Sequence, residues 1–276
     1  MVVQQHRLRG GAFAVATVVL GVLATSGCSG GEGAVADDRP GGGRPGDVLG
    51  AADVLARAKS ARTRTSMEMA AGGTRVTIRG EGGYDFARRM GRLTVVLPTD
   101  PAGADEHHPV TELLTSGALY MKNRGAGVPA DKWVRVDTTT LADGNLVTGG
   151  ATDPLAAAEL LRSARSVTYV GEEELAGVRV RHYRGMTDIA RAARVAEPHA
   201  RASLAAAAKG FAEDAVPFDA YLDDDGRLRK VRHRFSFTNE TGTVAVTSTT
   251  LLYDFGTPVT VHLPDERDIY AGRIRV

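Results

Sequence analysis

Cys28 is the only cysteine among the 276 residues. An internal disulfide is therefore excluded, and stability has to come from burial. Aromatic residues make up 5% of the chain, too few for a platform on which bases could stack. No excess of one charge exists either: 34 basic residues stand against 33 acidic ones. Such a balance provides no steering field for nucleic acid. Chemistry-bearing motifs are missing as well. No G-x-S-x-G elbow, P-loop or dinucleotide fingerprint occurs, and Ser116 in Leu114-Thr115-Ser116-Gly117 sits at a strand end. His107 and His108 are adjacent, so on an extended segment they point apart, and no pair of histidines has metal-ligand spacing. Asp223-Asp224-Asp225-Gly226 lacks the later Glu of a calcium loop. The expectation is a protein that is not an enzyme and calls for no cofactor and no metal.

Only one long apolar run is present, residues 12–24, which follow Arg7 and Arg9. About a dozen residues are too few to span a bilayer and suit the core of an export signal. The run leads into Thr25-Ser26-Gly27-Cys28. Small residues before a cysteine resemble the lipobox of bacterial lipoproteins, although Thr25 stands where Leu is usual. The resemblance implies a signal peptide over 1–27, a lipid on Cys28 and a place on the extracytoplasmic face of the cell membrane. The alternative is an ordinary signal cut nearby, which leaves an exported protein with one free thiol. Without Arg7 and Arg9 the formal charge is near −1, from 32 bases and 33 acids.

Residues 28–46 form a Gly-rich tether that holds Pro40 and Pro45. A coil of that length reaches roughly 23 Å. Residues 47–276 form one folded domain, with Asp47 expected to cap a first helix running to about Ser60. Period-2 alternation then dominates. Met67 and Met69, Val76 and Ile78, Leu93 and Val95, Leu119 and Met121, and Val134 and Val136 each fall on one face of a strand. Gly72-Gly73 and Gly82-Gly83 are expected as turns or kinks. Asp153-Pro154 opens a helix over 155–164, and Ala-rich stretches over 189–195 and 201–211 give two more, with Pro217 ending that region. Asp-Gly at 225–226, between two alternating runs, marks a hairpin. Its second strand carries Phe235 and Phe237, another strand follows at 244–253, and the chain closes with Pro258-Val259 and Val261-His262-Leu263-Pro264. Of the basic residues in that hairpin, Arg227 and Arg229 share a parity that Arg232 and Arg234 do not, unless a bulge intervenes. They read as a solvated face or as contacts for anionic lipid headgroups. The absence of a βαβ rhythm makes the sheet antiparallel.

The hairpin Ala220-Tyr221-Leu222-Asp223-Asp224-Asp225-Gly226-Arg227-Leu228 and the closing Leu252-Tyr253-Asp254-Phe255-Gly256 resemble the LolA-like lipoproteins, in particular the actinobacterial LppX/LprG-like group. So does the entry into the first strand, from Ala58-Lys59-Ser60 to Ser66-Met67. The resemblance implies an α+β fold, a curved antiparallel half-barrel sheet of about ten strands packed on a few helices. It also implies an apolar cavity for acyl chains of lipids or glycolipids, and no catalytic residues. The twelve strand residues just named, from Met67 to Phe237, are the candidate lining. Methionines suit a lining that adapts to variable guests. The plain alternative for each is packed core. Two partners follow: a lipid or glycolipid held in the cavity, or an envelope protein bound by a fold that carries no lipid. In both, Cys28 ties the domain to the membrane.

Overall fold

A computed structural model describes residues 43–98, 108–125, 127–211, 213–239 and 242–272. The signal segment, Cys28, most of the tether and His107 lie outside them. Residues 39–276 cluster as one unit. Among the described residues, no helix is long and apolar enough to cross a membrane.

The alternating runs become eleven strands: β1 (Ser60–Ala71), β2 (Thr74–Asp85), β3 (Met90–Val96), β4 (Val110–Thr115), β5 (Ala118–Lys122), β6 (Trp133–Asp137), β7 (Arg165–Leu175), β8 (Val178–Asp188), β9 (Ala215–Leu222), β10 (Leu228–Asn239) and β11 (Gly242–Tyr253). They form a single sheet in the order β6-β5-β4-β3-β2-β1-β11-β10-β9-β8-β7. Every neighbouring pair is antiparallel. All pairs but one join strands consecutive in the chain. The exception is β1 with β11, where two meanders are sewn together along Arg62↔Tyr253 to Ala70↔Ala245. The β6 and β7 ends do not meet, so the architecture is an open α+β half-barrel.

One face of this sheet is apolar and covered. Its helices come from three places in the chain: α1 (Pro45–Leu49) and α2 (Ala51–Arg57) before β1, α3 (Pro154–Leu160) between the two meanders, and α4 (Ile189–Val195) with α5 (Pro198–Gly210) between β8 and β9. Asp153 caps α3 as the Asp-Pro pair demands, accepting the amides of Leu155 and Ala156. Arg162, in the short 3₁₀ turn after α3, ties helices together: it donates to Asp53 of α2 at 2.6 Å and to Glu159 of α3 at 2.7 Å. The core lies between these helices and the inner face, from Leu55 and Leu160 to Leu93, Phe218 and Leu252.

Several local expectations change. The first helix starts at Pro45, not at Asp47, and breaks at Gly50. Asp47 instead accepts hydrogen bonds from Arg181 and Tyr183. Gly82-Gly83 is no turn but lies inside β2. A side chain at Gly82 would strike the Arg92 carbonyl of β3, and one at Gly83 would meet Val259 at 2.8 Å. Glycine is there because two segments approach closely. Pro217 lies inside β9 rather than ending a helical region. Residues 258–263 belong to a strap that leaves β11, crosses the outer face by Val259 and reaches the β6 edge. There Ile269 bridges Trp133, and the Tyr270 amide donates to the Trp133 carbonyl at 2.8 Å.

Candidate functional site

The inner face gathers the proposed lining. Met67, Ile78, Leu93, Val95, Leu119, Met121, Val134 and Phe235 are buried there at 7% exposure or less. Met69, Val76 and Val136 are half-buried against the same core, and the Phe237 side chain lies outside the described part. All eleven placed residues share one side of the sheet, as the alternation requires. They pack as core. A half-open crevice between sheet and helices measures about 40 Å³ and is lined by none of them. A ligand site for a drug-sized molecule needs roughly 300–1,000 Å³.

That crevice sits at the rim of the core, where the β4–β5 turn, the start of α3 and α5 converge. Tyr84, Asn145, Asp153, His199 and Ser203 line it. The Tyr84 hydroxyl donates to Asp153 Oδ2 at 2.9 Å. Burial raises the Asp153 carboxyl above its usual range, against the three hydrogen bonds that lower it. Burial also lowers His199, whose two ring nitrogens have no hydrogen-bond partner. The crevice has room for a few waters.

The interior is not wholly apolar. Glu112 is fully buried, opposite Leu93 on one side and Met121 on the other. Neither carboxyl oxygen has a hydrogen-bond partner. Burial pushes this acid up to about 8, and the charge of Arg124 offsets only part of the effect. His233, opposite Ser248 on β11, is pushed down to about 3 by burial alone. Thr63, Thr65 and Thr250 add hydroxyls without partners. Such atoms are expensive to bury and call for a reason.

The outer face carries a second construction, on β8, β9 and β10. Asp219, 2% exposed, is its centre. It accepts from Arg234 Nη2 at 2.7 Å and Arg184 Nε at 3.2 Å, and His182 Nε2 lies 3.0 Å away. Burial raises this carboxyl, but the hydrogen bonds from His182, Arg234 and Arg184 outweigh it and bring it to about 2. His182 stacks on Tyr221 at 4.3 Å, and Lys230 Nζ stands 4.6 Å from the centre of the same ring. Glu173 of β7 reaches His182 Nδ1 at 2.8 Å.

A bulge between Leu228 and Lys230 settles the arginine parity. It lets Leu228 and Val231 both enter the core while Lys230, Arg232 and Arg234 face outward. Arg227 and Arg229 instead serve the hairpin, lying near Asp223 and over the Phe255 ring. The sequence reading passed over Glu112, His182, His199 and Asp219. Asp219 and His182 had a signal, being polar positions opposite basic ones on alternating strands. Glu112 had none beyond its parity with Val110 and Leu114.

An open antiparallel sheet with one helix-covered face defines the class of the protein. No family model and no curated protein matches its sequence. Among solved structures it is similar to the lipoprotein LppX of Mycobacterium tuberculosis, at 10% identity and a TM-score of 0.46, over 78% of this chain and 98% of that one. It is similar to LprF of Mycobacterium bovis at 14% identity and a TM-score of 0.39, over 81% and 99%. A third is a putative outer membrane lipoprotein-sorting protein domain of Vibrio parahaemolyticus, at 10% and 0.29, over 80% and 96%.

Proposed function

We propose that this chain is a lipid-anchored binding module on the extracytoplasmic face of the cell membrane, and that it recognises an envelope partner with its surface. The filled interior carries this reading. The inner-face residues pack as core between sheet and helices, and the crevice at the rim of that core, about 40 Å³, is too small for an acyl chain. The resemblance of Thr25-Ser26-Gly27-Cys28 to a lipobox supports the anchor. Crosslinking in intact cells, followed by native mass spectrometry of the gently extracted protein, tests the reading. One dominant protein partner and a bare protein mass are expected. A lipid recovered at one per chain overturns it. Mass spectrometry of the membrane fraction tests the anchor, with diacylglycerol expected on Cys28.

A second reading, uptake of an acyl-bearing amphiphile between sheet and helices, has one observation in its favour. Glu112, His233 and three threonines point unpartnered atoms into the interior. Those atoms gain partners if the helices part and water or a polar ligand group enters. The same native mass measurement decides between the two readings.

A further inference from the structure

We propose that the outer face of β8–β10 is a docking surface for the anionic headgroups of the membrane to which the chain is tethered. The proposal goes beyond the functional reading, resting only on its membrane anchor. Four cations stand on neighbouring strands: Arg184, Lys230, Arg232 and Arg234. Two carboxylates stand among them, Asp219 and Glu173. Asp219 is buried, and its oxygens are taken up by Arg184, Arg234 and His182. Glu173 lies against His182. Set against the four cations, the two carboxylates leave the patch a formal charge of +2 with His182 neutral (4 − 2).

Asp219 also holds two guanidinium groups in place. Arg184 and Arg234 each donate one N–H to it, and their side chains remain 63% and 43% exposed. A guanidinium has five N–H donors, so each keeps N–H groups that Asp219 does not use. Arg232 has no ion-pair or hydrogen-bond partner among the described residues, and Lys230 rests on the Tyr221 ring. The Arg184 and Arg234 donors are held before any ligand arrives, which lowers the entropic cost of binding phosphate oxygens.

The chain enters the domain beside these strands. Gly43 lies against Tyr183 of β8 and Tyr169 of β7, and Asp47 is held by Arg181 and Tyr183. Those β8 residues alternate with His182 and Arg184, so the entry lies on the helix-covered face and the cations on the opposite one, around the β7 edge. Fifteen residues separate Cys28 from Gly43, at most about 50 Å of chain, enough to pass that edge.

The test uses residues 39–276 without lipid, the unit that contains the whole described core. Co-sedimentation is measured with phosphatidylcholine vesicles, with and without phosphatidylglycerol. Binding is expected only to the anionic vesicles, and it should disappear in 0.5 M salt, where the screening length falls to about 4 Å. Each cation near an anionic leaflet multiplies partition about fivefold. Lys230→Glu with Arg232→Glu touches none of the Asp219 bonds and should lower partition on the order of several hundredfold, with an unchanged circular dichroism spectrum. Should that pair fail to fold, Lys230→Gln with Arg232→Gln is expected to cost about twenty-five-fold. Lys209→Glu, on exposed α5, is expected to leave binding within about twofold.

Failure of the unaltered unit to prefer anionic vesicles overturns the proposal. So does equal loss with Lys209→Glu, which means net charge alone acts, and so does binding to polyglutamate without binding to vesicles, which assigns the patch to an acidic protein. A lipid found inside the native protein overturns the functional reading and leaves these outcomes untouched.

Discussion

Two buried titratable residues without hydrogen-bond partners contribute to the response of the fold to pH, and they act in opposite directions. Glu112 is held neutral, at about 8 in the folded protein. Unfolded, it ionises near 4.3. The folded state therefore binds the extra proton between those values, and stability falls as pH rises through them, by up to about 1.4 kcal/mol per unit. His233 is held neutral as well, at about 3. Unfolded, it takes up a proton below about 6.5, so stability falls as pH drops from there towards 3. Between about pH 4.5 and 6.5 the two slopes cancel. The expected profile from urea unfolding is a plateau there, with a decline on each side. Glu112→Gln should remove the decline above pH 6.5, and His233→Leu should lessen the one below 4.5. A decline above pH 6.5 that survives Glu112→Gln would place its cause elsewhere. Little of this was legible in the chain. Val110-Thr111-Glu112-Leu113-Leu114 alternates, but an acid at an inward position reads as an outward one. Leu113 in turn faces outward and is still buried.

Elements are tied by few polar contacts, and one of them carries much of the helix layer. Arg162 bridges α2 and α3 through Asp53 and Glu159. Glu159 is 1% exposed and also accepts the Glu197 amide that precedes α5. Arg162→Met leaves a buried carboxylate without its cation, at an expected cost of about 3–5 kcal/mol in chemical denaturation. Adding Glu159→Leu should recover part of that loss. Asp153→Ala should cost about 2–4 kcal/mol, since it removes the cap of α3 and strands the Tyr84 hydroxyl. Asp153→Asn, which keeps an acceptor, should cost less. At this scale the sequence was informative. Asp153-Pro154, the paired Gly72-Gly73 and the hairpin at 223–226 all stand where local rules put them. Gly226 has φ +74°, as that turn requires. What escaped was decided by distant neighbours. Gly82-Gly83 answers to Arg92 and Val259, and the bulge after Leu228 answers to the core that Leu228 and Val231 must both reach.

For the whole molecule, the strap after β11 is the feature that no periodicity announced. It has no regular pattern of its own and is fixed by what it lies upon. The Ser60 hydroxyl donates to Thr257, and Lys132 donates to the Arg267 carbonyl at 2.8 Å. Ending the chain after Phe255 should uncover the β6 edge. Trp133 is the only tryptophan, so acrylamide quenching of its fluorescence reports the change directly. Quenching is expected to rise, and turbidity to follow, because a bare edge pairs with other edges. Unchanged quenching would mean that the strap contributes nothing there.

The opposite margin is defended differently. β7 breaks register twice along β8, Ser166 and Gly171 take left-handed backbone angles, and Glu172, Glu173 and Glu174 follow one another along it. An incoming strand finds neither a regular ladder nor a neutral one. Neither flank of the molecule thus offers a template to its own kind. Copies crowded together can jostle continually without zipping into a continuous fibre.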